Sequence, residues 1–367
     1  MNRRARWTVA VVAAIALPLG SAGPAAASAS ASAPVTVQHE LVETPARAAV
    51  EQAVAPTECD TTALDVYVAD LIAAMTDEQL TFLFSHIDTL LNVPTYDALL
   101  VGTTQSAEHA LSVHAQQLRK TFRELQRFWS DIDSDDIQLI AMHGDVLLDA
   151  ERIAATLTAM IELGVIGAMT PAEVTQEAQT VADFMRTQGD FFDNPLWTFN
   201  AFAFSGEDET DPSLTALPDK IVMGDGIIEA YDTLGLGDVA PRVILAHEFA
   251  HHVQFELHIF DSGPADPAEA TRRTELMADA MAAYFGVHKK GLALNKKRVV
   301  DALTTFATVG DCQFDSAGHH GTPLQRERAA AWGADLAAAA RPASMVLSTP
   351  TVIARFDAAL SAIVDGT

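Results

Sequence analysis

The chain has 367 residues, a length that fits about two domains of ~150 residues, and 49% of them are hydrophobic, enough for a sizeable core. With 49 Asp and Glu against 23 Lys and Arg the formal net charge is −26. That excludes a general nucleic-acid binder, which needs a basic footprint for phosphates, and a protein that docks on anionic lipid. Two cysteines exclude a disulfide-dense scaffold and a zinc module of four thiolates.

Arg3, Arg4 and Arg6 precede an apolar run from Thr8 to Leu19, too short to cross a bilayer core of about 30 Å as a helix. Small residues with A-x-A-type sites follow at Ala25-Ala26-Ala27 and through Ser32-Ala33. The pattern predicts a secretory signal peptide over residues 1–27, and so a secreted, extracellular protein. Pro18 and Gly20 end the run early, against an uncleaved anchor. No later apolar stretch is long enough to span a membrane, so no membrane partner is expected after cleavage. Residues 28–58, rich in Ala, Ser and Pro, read as a flexible leader. Export would favour a disulfide between Cys59 and Cys312, clasping the two ends of the mature chain. The alternative is Cys59 as an inhibitory zinc ligand in a latent form.

Residues 59–189 read as helix after helix. Thr76-Asp-Glu-Gln79 and Thr170-Pro-Ala-Glu173 are capping boxes, with Pro171 at the first helical position. Leu80, Leu83, Phe84, Ile87 and Leu91 recur at helical spacing, and so do Leu111, His114, Leu118, Phe122, Leu125 and Trp129. His109, His114 and His143 lack a neighbour at ligand spacing and read as packing or surface residues. Residues 190–367 form the second region. An aromatic stretch leads to an acidic turn, Glu207 to Asp211, which reads as an exposed loop without a Ca²⁺ ligand register. Lys220 to Met223 reads as a strand, and helices resume after Gly226, with capped starts at Asp266 and Thr322.

The segment Val243-Ile-Leu-Ala-His247-Glu248-Phe-Ala-His251-His252-Val-Gln254 carries the chemistry. His247 and His251 share one helix face, one turn apart, so both imidazoles can bind one zinc ion. Glu248 can reach a water on the open side of that ion. The helix is apolar nearly all round, so it is buried, and its three polar groups need partners.

A catalytic zinc needs a third protein ligand. The pattern H-E-x-x-H-x-x-G-x-x-H fails: Gln254 stands at the Gly position and Leu257 at the third His, and His258 lies about 10 Å along the axis from His251. A carboxylate on a second helix is the other option. Glu275-Leu-Met-Ala-Asp279 offers Glu275 as ligand and Asp279 as the acceptor that fixes a ligating histidine; small Ala278 lets the helices approach. His320, on a loop before a capped helix, is a candidate oxyanion donor, with Tyr231 a weaker one. Arg326 could hold a substrate carboxylate or pair with an acidic residue of the fold.

Together His247-Glu-Phe-Ala-His251-His252-Val-Gln254, Glu275-Leu-Met-Ala-Asp279 and His320-Gly-Thr with Gln325-Arg326 resemble the bacterial neutral zinc metallopeptidase family, over roughly residues 216–333. The resemblance implies a mainly α protein whose metallopeptidase domain is zincin-like, of the Glu-zincin type, with a small β element. It implies Glu275 as the third Zn²⁺ ligand. Ala250 replaces the family's usual Gly, and residues 61–189 match nothing in it.

The reading is a zinc-dependent endopeptidase acting on peptide or protein substrates: His247, His251 and Glu275 hold zinc, Glu248 is the general base, Asp279 orients a histidine and His320 steadies the oxyanion. Its rival is a catalytically silent zinc domain serving structure or cell-surface binding. The acidic charge favours neutral or cationic peptides over anionic ones. Residues 59–189 serve as a structural or gating domain, or else as a removable pro-segment.

Overall fold

A computed structural model describes residues 61–207, 209–311 and 319–366. The expected signal peptide and leader, Cys59 and Cys312 lie outside the described residues. The described chain is mainly helical. In order it forms α1 (Ala63–Ala73), α2 (Asp77–Ser85), α3 (Ile87–Val101), α4 (Ala115–Phe128), β1 (Gln138–Met142), α5 (Ala150–Glu162), α6 (Pro171–Thr187), β2 (Ala201–Phe204), α7 (Pro212–Thr215), β3 (Lys220–Gly224), α8 (Asp225–Thr233), α9 (Ala240–Glu256), α10 (Pro267–Val287), α11 (Lys296–Thr308), α12 (Pro323–Ala338) and α13 (Thr349–Asp365). No described helix is long and apolar enough to cross a membrane.

The expected capping boxes form at Thr76, Thr170 and Thr322, each with its reciprocal Gln or Glu three residues on. Asp266 caps α10 by accepting from the Ala268 and Glu269 amides. Each such cap is worth about 1 kcal/mol. Two helix boundaries differ from the periodicity. The chain breaks at His86, whose Nδ1 lies 2.8 Å from Glu177 on α6, and Phe84 is left 54% exposed rather than in the core. Helix α4 starts only after His114, held at a left-handed φ of 49°, where the Nε2 meets Asp232 at 2.9 Å.

The sheet has the order β1-β3-β2. Strands β1 and β3 run parallel with Ile140 opposite Val222; β2 is antiparallel with Ala203 opposite Ile221. β1 corrects the expectation of helix after helix up to Gly189. Its side chains alternate between two cores. Ala141, Ala201, Ile221 and Met223 pack with α9, α10, α11 and α12, while Ile140, Met142, Phe202, Phe204 and Val222 pack with α3, α5 and α6. Both faces are buried, so these strands read as short apolar runs without polar alternation.

The sheet therefore joins the two sequence regions. So does α4, which lies on α9: Phe122 meets Phe249 edge-on at 6.0 Å, and Phe128 packs against Tyr284 and Phe285 of α10. Helices α10 and α12 approach closely at Gly333, where an added Cβ would sit 1.9 Å from the Ala280 carbonyl oxygen.

Candidate metal centre

Every residue of α9 from Ala240 to Phe255 except Arg242 is buried. Burying its apolar side chains contributes about 1.5–3 kcal/mol each, which carries the histidines and Glu248 into the interior with them. His247 is 6% exposed, His251 2%, Glu248 1% and Glu275 1%.

The two helices bring the predicted ligands together. His247 Nε2 and His251 Nε2 lie 3.1 Å apart. Glu275 on α10 places Oε2 3.3 Å from His247 Nε2 and Oε1 3.4 Å from His251 Nε2. Both Glu275 oxygens are buried and accept no hydrogen bond. A tetrahedral ion with bonds of about 2.0–2.1 Å separates its ligands by about 3.3 Å. The separation of the two imidazole nitrogens and their distances to the two Glu275 oxygens, one oxygen each, are close to that figure, and His247, His251 and Glu275 can hold a metal ion.

The far side of each ring says which nitrogen is free. His251 Nδ1 donates to Gln254 Oε1 at 3.0 Å, and Gln254 Nε2 donates to the Thr274 carbonyl at 2.8 Å. His247 Nδ1 approaches Asp279 Oδ1 to 2.9 Å. His251 keeps its proton on Nδ1, while His247 Nδ1 stands in ion-pair range of Asp279 without an aligned hydrogen bond; the two Nε2 atoms and a carboxylate face one another in a buried space. That arrangement requires a cation or a shared proton. The same tension shows in the acidities. Burial alone would push His247 down, yet Asp279 and Glu275 hold it up at about 10. Burial pushes His251 down to about 4. For Glu275, burial is outweighed by His251 and His247, with help from His320, and the carboxyl stays well below the usual range.

Glu248 is raised to about 7 by burial, against the lowering effect of His247 and a hydrogen bond from the Ala203 backbone on β2. Its Oε2 has no hydrogen-bond partner. A carboxyl balanced near neutrality can both take and return a proton.

Beyond the triangle, Arg326 on α12 resolves its two readings in favour of the fold: Nε and one terminal nitrogen each donate to Asp279 at 2.8 Å, and the other lies 3.8 Å from Glu275. His320 is half-buried and Nδ1 lies 2.9 Å from Asp311 Oδ2. Tyr231 does not serve the site. Its hydroxyl donates to the Thr305 carbonyl at 3.1 Å and lies 3.0 Å from the Thr308 hydroxyl, so it ties α8 to α11. His258 closes α9 in a left-handed conformation, φ 52°, outside the metal group. His109 and His143 pair with Asp97 and Asp225. Asp211, in the acidic turn, caps α7 through Ser213.

Sequence reasoning assigned no role to Gln254. Its i,i+3 spacing from His251 was the available signal, but its function needs Thr274 on a second helix.

No known family model, curated protein or solved structure matches this chain, so the resemblance rests on the motifs alone and the site on its own geometry.

Proposed function

We propose that this chain is an exported, zinc-dependent endopeptidase of the Glu-zincin type, similar to the neutral zinc metallopeptidases. The observation that carries the reading is the triangle of His247 Nε2, His251 Nε2 and Glu275 beside the unpartnered carboxylate oxygen of Glu248. Two imidazoles and a carboxylate, with a fourth position left to water, are the donor set of a catalytic zinc rather than of a closed structural one. Bound zinc supplies a Lewis acid that polarises a carbonyl and makes water reactive near neutral pH.

The chain's own residues do the rest. Glu248 takes the proton from the attacking water and passes it to the leaving amine. Gln254 and Asp279 hold the two rings with Nε2 toward Glu275. His320, held at Nδ1 by Asp311, is the candidate donor to the oxyanion.

The near-complete burial of the four central residues favours a second reading, a catalytically silent zinc domain. Metal content measured together with cleavage of a peptide library separates the two. Stoichiometric zinc with cleavage supports the peptidase. Zinc with no cleavage of any peptide moves the reading to the silent domain, and a protein that binds no zinc refutes both.

A further inference from the structure

Three carboxylates, Glu248, Glu275 and Asp279, crowd this interior, and among the described residues Arg326 is the guanidinium built against them. Arg326 lies on a helix that carries no metal ligand, and it is 2% exposed. Its guanidinium grips both oxygens of Asp279, Nε to Oδ2 and a terminal nitrogen to Oδ1, each at 2.8 Å. Asp279 Oδ1 in turn faces His247 Nδ1 at 2.9 Å. A bidentate pair of this kind fixes the plane of the carboxylate as well as its position. Asp279, in ion-pair contact with Nδ1 though not in an aligned hydrogen bond to it, bears on the orientation of the His247 ring and so on where Nε2 points. The remaining guanidinium nitrogen stands 3.8 Å from Glu275, beyond hydrogen-bond range but within ion-pair range.

The charges follow the same division. Arg326 cancels Asp279 through two hydrogen bonds. Glu275 keeps its charge with no donor on either oxygen, so it is left to a ligand. A lysine at this position would supply the charge but not the planar fork.

We infer that Arg326 is a positioning residue for the metal centre: by clamping Asp279 from α12 it aims His247 at the ion and leaves Glu275 as the ligating anion. The inference rests on the metal reading above. It adds a third helix to a site that the ligand motif places on two.

The test is metal binding by the full-length protein, which does not depend on turnover. R326M and R326K are purified, their Zn²⁺ affinity is measured by competition with a chelator, and the visible absorption of the Co²⁺-loaded proteins is recorded. Removing an outer partner of a metal ligand weakens affinity about 10–100-fold, and R326M should fall in that range with a shifted Co²⁺ spectrum. R326K should fall between R326M and the unaltered protein in both readouts. If R326M does not fold, R326K is decisive, because it keeps the buried charge and loses only the fork. Unaltered affinity and spectrum in a folded R326M, or in R326K where R326M does not fold, would overturn the role of Arg326 while leaving the metal centre standing. Failure of the unaltered protein to bind either Zn²⁺ or Co²⁺ would overturn the metal reading itself, and this inference with it.

Discussion

On the α3 side of the sheet the buried Asp97 carboxylate is met by His109 Nε2 at 2.9 Å and by the Arg152 guanidinium. The buried Lys220 ammonium donates to the Leu99 carbonyl at 2.5 Å and to the Gly102 carbonyl at 2.7 Å, closing the C-terminal end of α3. On the α9 side, Glu248 and Glu275 are buried as deeply, yet three of their oxygens have no hydrogen-bond partner. Leaving one buried polar group unpaired costs about 1–3 kcal/mol, and more when it is charged. Asp97 and Lys220 thus have partners within the chain, whereas Glu248 and Glu275 are left with open oxygens beside a group that could hold a metal ion. That contrast separates the Asp97 network from the candidate metal centre more sharply than burial alone, since both are buried.

Cutting the chain between its two sequence regions should have the largest effect. A protein beginning at Asp190 loses β1 from β3 and α4 from α9, exposing Ile221 and Phe249. It should show no cooperative thermal unfolding. A stable, zinc-binding fragment would make the two halves independent and end the comparison. Next comes chemistry. E248Q keeps the shape of α9 and should lower peptide hydrolysis about 10²–10⁴-fold with zinc content unchanged; full activity would remove Glu248 from the mechanism. E275A should instead cost the zinc, and unaltered metal content by elemental analysis would refute Glu275 as a ligand.

The centre was legible in the sequence because its core is local. His247, Glu248 and His251 are fixed by helix geometry, and Glu275 and Asp279 repeat the same four-residue spacing on α10. The capping boxes and β3 were readable for the same reason. What sequence could not supply were partners chosen by tertiary packing. β1 and β2 are covered on both faces and carry no period-2 signal. The break before α3 depends on Glu177 in another helix, and the choice of Arg326 between substrate and fold depends on Asp279.

D97A tests the closed network. Asp97 is 3% exposed, and removing it strands the buried His109 and half-frees Arg152. Breaking a buried pair from one side should destabilise by about 3 kcal/mol, read as a lower denaturant midpoint. Zinc affinity should not move, because no ligand or ligand partner touches this network. Weaker zinc binding in folded D97A would show that the two sides are coupled through the sheet.

The most diagnostic test of a closed site is the pH dependence of Lys220. Burial pushes its ammonium from 10.5 down to about 8. The folded chain therefore releases this proton at lower pH than the unfolded chain does. Between pH 8 and 10.5 the unfolded state binds more protons, so this group makes stability rise with pH across that window; below pH 8 both states are protonated and its slope vanishes. Denaturant midpoints for the unaltered protein and K220M, subtracted at each pH, should diverge in favour of the unaltered protein between pH 8 and 10.5 and run parallel below it. K220M also leaves the Leu99 and Gly102 carbonyls without a donor, a penalty that shifts the whole curve but does not tilt it. A difference curve that is flat through that window would mean that the two carbonyls already offset the burial of the charge, and that Lys220 keeps an ordinary acidity inside the fold.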